Sequence, residues 1–428
     1  MRAKAVAAPS PAGSRLAVLT DARHTVQRLA VSFCAPRGVS GAALELLCSL
    51  LERGTRSRPS AREHAAAKAE MYGLNCGWHV RRRGDSFRLV FGATFVSPAE
   101  AGGERYAAEL ERFLAESVRE PAFMDEGFDE GLFEVDRSNL ASWLRELETQ
   151  PSTRAVRRAF GLALEGDPYS RPASGTPEEA EALELAGLRE LFARTAWRGR
   201  ALGVSAGPLE TEEAGRLLLA VTGGEARGRG TRWRPFEPPE RKRRFREEGG
   251  GESDHVVVFF APGRGARFTR TEFAAAMGVF ATGSSSRIFR SIREEMGIAY
   301  GHELIRSFEK RIAAVHSAVL PGRGEDAAAR IEREMEEAGR GVDAEELAVL
   351  KRESAANVLK RLDSPGGLAE MLLYHLETGG KAEGFDGEAP LRRMERVRPE
   401  RAARVLSYFR AFAVYVSAAG GEGSLPER

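Results

Sequence analysis

Hydrophobic and polar residues alternate in short runs at the start of two separate stretches of the chain. Residues 15–20 and 27–33 show this alternation near the N-terminus, and residues 255–260 open the second stretch with a similar strand-like run. Alternation with a period of two places apolar side chains on one face, which is typical of a half-buried strand. The pattern therefore predicts that each stretch begins with β-structure.

After each opening, the spacing of apolar residues becomes helical, returns to alternation and becomes helical again. The predicted helices are 41–53, 271–280, 327–338 and 345–361, and the further predicted strands are 84–92, 200–205, 311–320 and 412–417. Because the same order of strands and helices occurs twice, we predict an α+β protein of two similar halves, each with an antiparallel-rich sheet covered by helices.

Glycine, proline and charged residues dominate the segment between the two halves. Such a composition cannot build a hydrophobic core and is typical of an extended linker. We predict an N-terminal domain over residues 1–223, a linker over residues 224–252 and a C-terminal domain over residues 253–428.

The composition is that of an ordinary globular protein, since 42% of the residues are hydrophobic and 29% are charged. The formal net charge is only +2, which gives no reason to expect nucleic acid or an anionic membrane as the main partner. A basic run at residues 240–246 is followed by Glu247 and Glu248, so we interpret it as part of a solvated linker and not as a nucleic-acid site.

Three cysteines, Cys34, Cys48 and Cys76, fit neither a disulfide framework nor a CxxC pair. A reducing compartment is the simplest explanation, and we therefore expect a cytoplasmic protein. The apolar patch near the N-terminus is interrupted by prolines and a glycine, so we do not expect it to act as a signal peptide. No run of about 18 apolar residues occurs, so we expect no membrane span.

Residues 283–301 contain the most informative local pattern, GSSSRIFRSIREEMGIAYG. The pattern predicts a glycine- and serine-rich turn, then a helix that carries arginines and ends at Gly297. Arg293 and Tyr300 lie on either side of this helix end, where a guanidinium fork and a phenol can both donate to one carbonyl or carboxylate. The alternative is an arginine on a solvated helix face and a tyrosine in a half-buried strand.

This segment resembles the C-terminal half of the M16 (pitrilysin/insulinase-type) zinc peptidases, in which an arginine and a tyrosine with this spacing hold the substrate near the zinc. Residues 167–179 and 44–55 are similar to two stretches of the family's N-terminal half, so the resemblance covers almost the whole chain. It implies two homologous α/β half-domains, a peptide or unfolded polypeptide as substrate, and substrate-binding roles for Arg293 and Tyr300.

The resemblance also locates the positions of the family's H-x-x-E-H zinc motif in this chain. The motif in the family runs on into a Gly-Thr pair, which residues 54–55 match. The third zinc ligand of the family lies seven residues after another glutamate, which Glu134 matches. The resulting degenerate metal-site positions are Glu45, Cys48 and Ser49 for His, Glu and His, and Ala141 for the third ligand.

Zinc chemistry in this motif needs two histidines at i and i+4 on one helical face, with the glutamate as general base. None of the seven histidines has a partner at that spacing. Serine is a poor zinc ligand, although Glu45 and Cys48 leave a rescued site conceivable. Leu44, Leu47, Cys48 and Leu51 form one apolar stripe, which favours Cys48 as a core residue. We therefore expect no metal or other cofactor in this chain, and the resemblance implies zinc on a partner subunit.

Three functions are consistent with these residues. The first is a non-catalytic M16-type subunit that forms a heterodimer with a zinc-bearing sibling and supplies Arg293 and Tyr300 to peptide proteolysis. The second is a catalytically inactive peptide-binding or scaffold homodimer with the same fold. The third is a serine hydrolase that uses Ser205, because residues 203–207 match the G-x-S-x-G pattern.

Overall fold

The computed structural model describes residues 5–10, 14–223 and 233–420. The strands in these ranges are β1 (Ala5–Ala8), β2 (Arg15–Thr20), β3 (Val26–Cys34), β4 (Asn75–Arg83), β5 (Ser86–Val96), β6 (Ala201–Gly207), β7 (Arg243–Glu248), β8 (Asp254–Pro262), β9 (Ala299–Ser307), β10 (Ile312–Val319) and β11 (Phe409–Ala418). Two short π-helices are also present, at Ala193–Trp197 and Phe289–Glu295.

The α-helices are α1 (Gly41–Leu51), α2 (Ala61–Glu70), α3 (Gly103–Arg119), α4 (Glu130–Thr149), α5 (Pro151–Ala163), α6 (Pro177–Glu181), α7 (Leu185–Phe192), α8 (Thr211–Thr222), α9 (Arg270–Ala281), α10 (Gly324–Arg340), α11 (Ala344–Leu362), α12 (Pro365–Glu377), α13 (Ala389–Glu395) and α14 (Pro399–Tyr408). None of the described helices is both long enough and apolar enough to cross a lipid bilayer.

The chain forms two compact units, and each unit is assembled from three chain segments. The first unit comprises the described residues within Met1–Leu144, Ala173–Arg232 and Val358–Glu388. The second unit comprises those within Arg145–Pro172, Trp233–Asn357 and Ala389–Arg428.

The first unit is built on a sheet with the strand order β1-β2-β6-β3-β5-β4. Strands β2 and β6 are parallel, and the other neighbours are antiparallel. Helices α1, α3 and α8 cover one face of this sheet, and α12 covers the other face. In β2, Leu16 and Val18 belong to the core under α1, α3 and α8, whereas Ala17 and Leu19 belong to the core under α12. The strand is therefore apolar along most of its length, as expected for a strand buried on both faces.

The second unit repeats this arrangement with the strand order β7-β11-β8-β10-β9. Strands β7 and β11 are parallel, and the remaining pairs are antiparallel. Helices α9, α10 and α14 cover one face, and α5 covers the other. The predicted α+β class, with two similar halves that each contain an antiparallel-rich sheet under helices, is confirmed.

Two helices belong to a different unit from the neighbouring elements in the sequence. Helix α5 lies in the predicted N-terminal half but packs on β8 and β11 of the second unit, where Ala155, Ala159 and Ala163 are buried. Helix α12 lies in the predicted C-terminal half but packs on β3 and β6 of the first unit. An amphipathic pattern shows that a helix buries one face, but it does not show which sheet receives that face.

The predicted linker contains one strand. Residues 224–232 lie outside the described residues, and residues 233–242 form neither helix nor strand. Strand β7 follows and pairs in parallel with β11, with Phe245 packed against the α5 side of the sheet. Its other side chains are mostly charged and exposed, which explains why the composition of Arg243–Glu248 resembles that of a linker.

We predict that limited trypsin digestion cuts first within residues 233–242. Proteases cleave segments that are not held by secondary structure, and residues 233–242 contain arginines and a lysine outside any helix or strand. Mass spectrometry of the earliest fragments provides the test, with the strands β5 and β10 as internal controls because each pairs with a neighbouring strand on both sides. First cleavage inside either control strand would contradict the proposed boundary.

Candidate functional site

A cavity of about 490 Å³ lies in the second unit, between the end of α9, the π-helix Phe289–Glu295 and strand β9. Strand β9 is the last strand of its sheet, so only one side of its backbone pairs with β10. The lining residues are Ala281, Thr282, Gly283, Ser284, Phe289, Arg293, Gly301, His302, Glu303, Leu304 and Arg306.

The turn after α9 is fixed by local hydrogen bonds. Gly283 has a φ of +76°, a left-handed conformation that glycine adopts without steric cost. The Ser286 hydroxyl donates to the Gly283 carbonyl oxygen at 2.8 Å and lies 3.4 Å from His302 Nε2. The glycine- and serine-rich turn predicted from the sequence therefore positions the start of the arginine-bearing helix beside β9.

The arginine-bearing segment continues into a π-helix, in which the Met296 amide donates to the Ser291 carbonyl oxygen at 3.1 Å. Helical turns of this kind are rare and are frequently found at functional sites. Two of its arginines are held in place by Glu346: Arg287 Nε donates to that carboxylate at 3.1 Å, and Arg290 also pairs with it. These two side chains therefore anchor the segment.

Arg293 differs from the other two arginines of this segment. Among the described residues, no acceptor receives a hydrogen bond from its guanidinium and no carboxylate pairs with it. The guanidinium lies 5.2 Å from the centroid of the Phe289 ring, and the side chain lines the cavity. An exposed guanidinium that stacks on a ring keeps its donor fork available for a carbonyl or carboxylate.

Tyr300 is the extra residue of a β-bulge at the start of β9. Ala299 lies opposite Val319 and Gly301 lies opposite Ala318, so no residue of β10 lies opposite Tyr300. Its side chain is 57% exposed. Bulges redirect side chains and are common beside active sites. The structure therefore places Tyr300 directly before Gly301 of the cavity wall, but Tyr300 does not itself line the cavity.

His302 and Glu303 also line the cavity, and sequence reasoning missed both. Burial lowers the pKa of His302 below its ordinary value, and the nearby Arg293 lowers this pKa further. The imidazole is therefore neutral at pH 7 and can donate or accept one hydrogen bond. The signal that could have found these residues is their place directly after Tyr300 in an edge strand.

The degenerate metal-site positions on α1 do not form a metal-binding set. Cys48 is buried in the core of the first unit, and burial raises the pKa of its thiol. Burial also raises the pKa of the half-buried Glu45 carboxyl group. The exposed Ser49 hydroxyl donates to the Glu45 carbonyl oxygen at 3.5 Å, along its own helix. A protonated thiol and a serine are poor donors for zinc.

The positions on α4 give the same result. Ala141 is 1% exposed and carries no donor atom, and Glu134 is exposed and pairs with Arg137. Asp136 of the same helix is already engaged by Arg53, whose Nε donates to it at 2.9 Å. Within the described residues, no group of three histidine, cysteine, aspartate or glutamate side chains is arranged to hold a metal ion. These residues therefore do not fit zinc.

Ser205 lies inside β6 and not at an exposed turn. It is completely buried, and its hydroxyl oxygen accepts a hydrogen bond from Gln27 Nε2 at 2.8 Å. A nucleophilic serine must reach its substrate and needs an adjacent base. The geometry therefore argues against the serine hydrolase hypothesis.

Comparisons with solved structures identify the fold. No family model matches the sequence, and no curated protein matches it. A conserved protein from Enterococcus faecalis is similar with a TM-score of 0.86 at 17% identity, over 98% of this chain and 100% of that one. A peptidase M16 inactive domain from Pseudomonas fluorescens gives 0.75 at 14% identity, over 99% and 100% of the two chains. A protease from Helicobacter pylori gives 0.76 at 13% identity, over 97% and 99%.

At these identities the likeness shows the fold alone. The fold is that of M16-type peptidases, and it extends over almost the whole chain. The resemblance drawn from residues 283–301 and 44–55 is therefore confirmed at the level of the fold.

We predict that the purified chain retains far less than one zinc ion per molecule after exposure to zinc and dialysis. The physical reason is that the positions on α1 and α4 provide a buried thiol, a serine and an alanine in place of zinc ligands. Elemental analysis measures the metal content, and Cys48→Ala is the matched variant. About one zinc per chain in the native protein, lost in Cys48→Ala, would overturn this prediction.

Proposed function

We propose that this chain is a non-catalytic subunit of an M16-type peptidase. In this proposal it forms a heterodimer with a zinc-bearing sibling and contributes Arg293 and Tyr300 to the binding of a peptide or unfolded polypeptide. The observation that carries the proposal is the Arg293 guanidinium, which lies in the wall of a cavity and has no hydrogen-bond or ion-pair partner among the described residues. It lies next to an edge strand whose second residue is an exposed tyrosine at a bulge.

The edge strand supplies the first part of the binding mode. No described strand pairs with β9 on the side opposite β10. An extended peptide can add to such an edge through main-chain hydrogen bonds, while pockets beside the strand receive alternate side chains. The cavity along Gly301, Glu303 and Leu304 offers a pocket of this kind.

The two side chains supply the second part. Arg293 can direct two donors at a carbonyl or carboxylate of the bound peptide, and Tyr300 can add one hydroxyl donor from the strand. Arg287 and Arg290 are unsuited to this role because Glu346 already pairs with both. The pairing of its neighbours therefore singles out Arg293 for a substrate.

The absence of zinc-binding residues at the expected positions supports a division of labour between two chains. Without the metal ligands, this chain lacks the groups that would activate a water molecule in this fold. The similar structure from Pseudomonas fluorescens is described as an inactive domain, which is a precedent for the fold without the activity. We place the heterodimer in the cytoplasm because all three cysteines are free thiols.

We predict that Arg293→Ala and Tyr300→Phe each reduce peptide turnover by the reconstituted heterodimer. In the proposed role the donors orient the scissile carbonyl of the peptide, and the loss of one donor to the oxyanion that develops on this carbonyl costs on the order of a hundredfold in rate. Turnover is measured with the zinc-bearing sibling in excess, and association of the two chains is measured separately by analytical ultracentrifugation. We expect association to be unchanged, since Arg293 and Tyr300 are exposed and contribute nothing to the core.

Arg323→Ala is the matched control for these variants. Arg323 is also an arginine of the second unit, it is half-buried, and among the described residues its one ion-pair partner is Asp326, three residues later at 2.7 Å. Its removal should leave turnover unchanged. Full activity of both Arg293→Ala and Tyr300→Phe would contradict the proposed role, and the chain would then be better described as a peptide-binding or scaffold homodimer.

A further inference from the structure

The face of the first sheet that α12 covers carries a row of arginines across neighbouring strands. Arg81 of β4 lies directly opposite Arg88 of β5, and Arg88 lies directly opposite Cys34 of β3. The Cys34 amide in turn donates to the carbonyl oxygen of Arg200, the residue before β6, at 3.4 Å. Residues that face each other on adjacent strands have side chains on the same face, so these three guanidiniums share one surface.

A fourth guanidinium belongs to the same surface. Arg15 of β2 lies opposite Leu202, two residues after Arg200. Arg15 Nη1 donates to the Gly380 carbonyl oxygen at 3.1 Å, beyond the C-terminal end of α12. Burial, together with the charges of Arg200 and Arg88, lowers the pKa of Arg15. The arginines on this face therefore repel one another.

Glu377 of α12 compensates only part of this charge. Its carboxylate accepts from Arg83 Nη1 at 2.9 Å and from the Ser32 hydroxyl at 3.1 Å, and it lies 3.6 Å from Arg88 Nε. One carboxylate thus serves Arg83 and Arg88. Arg81 and Arg200 have no carboxylate partner among the described residues.

Several donors on this surface have no acceptor within the part of the chain that the structure describes. The Nε–H groups of Arg15, Arg88 and Arg200 are buried without a hydrogen-bond partner, and Arg88 is only 6% exposed. A buried guanidinium donor without an acceptor is costly, and like charges directly opposite each other on two strands are destabilising. A bound anion would offset both costs, because guanidinium forks match the oxygens of phosphate and carboxylate groups.

We propose that Arg81, Arg88 and Arg200 form a binding site for a small oxyanion on the first unit. Arg81, Cys34 and Arg200 are half-buried, so the site is open on one side while Arg88 forms its floor. The ligand carries a phosphate or a carboxylate group, since both present the oxygen atoms that these forks recognise. The site is independent of the peptide-binding role assigned to Arg293.

The test uses the full chain with inorganic phosphate as the probe, at an ionic strength held constant with chloride. Phosphate should raise the melting temperature, because a ligand that binds only the folded state stabilises it. Phosphate should also slow alkylation of Cys34, which lies between Arg88 and Arg200, as followed by mass spectrometry. Cys76 is half-buried on the other face of the same sheet and is the internal control.

The variants Arg200→Gln and Arg81→Gln should each weaken phosphate binding about tenfold, as expected for a lost charge-assisted hydrogen bond. Neither residue is part of the apolar core, so both variants should fold. The exposed Arg216 of α8 is the matched control, and Arg216→Gln should bind phosphate as the native chain does.

Parallel titrations with acetate and with a tetraglutamate peptide separate the two sources of the oxyanion. A response to carboxylates that exceeds the response to phosphate would identify an acidic peptide or metabolite as the ligand. The proposal is overturned if none of these anions protects Cys34 at constant ionic strength, or if Arg200→Gln and Arg81→Gln respond as strongly as Arg216→Gln.

Discussion

Burial of both faces of each sheet is the constraint on which the rest of this structure depends. Helices cover the two sides of the first sheet and the two sides of the second, so the central strands are closed to ligands. Ser205 shows the consequence, since its hydroxyl is satisfied inside the core. The side chains that a ligand can reach therefore lie on the edge strands and at the ends of the sheets. The cavity beside β9 lies at such an edge, and the arginine surface lies where β5, β3 and β6 approach an end.

The same constraint accounts for the buried thiol on α1. Helix α1 packs one side against the first sheet, and Cys48 belongs to that packed side. A small apolar residue there stabilises the core, whereas a charged group would be costly to bury. Arg53 and Asp136 form an ion pair in which both side chains are at least three-quarters buried, and it connects the end of α1 to α4. Protein side chains thus link the end of α1 to α4.

The sequence predicted seven of the eleven described strands and the turn and helix that carry Arg293, but not which sheet α5 and α12 pack on. Alternation in residues 15–20 and 311–320 identifies strands, but it predicts that each strand is half-buried, whereas β2 and β10 are buried along most of their length. Helix α12 could not be assigned to the first sheet, because its contacts are separated from it by hundreds of residues in the chain. The row formed by Arg81, Arg88 and Arg200 is likewise invisible in the sequence, since only the strand register brings these residues together.

The most direct test of the peptide-binding account is hydrogen exchange of the heterodimer with and without a bound, uncleaved peptide. If the peptide adds to the edge of β9, the amides of Ala299–Ser307 that do not pair with β10 should become protected, together with the segment that carries Arg293. The exchange of the β10 amides should change little, because β10 already pairs with β8 on one side and β9 on the other. Protection confined to other parts of the chain, with β9 unchanged, would contradict the account.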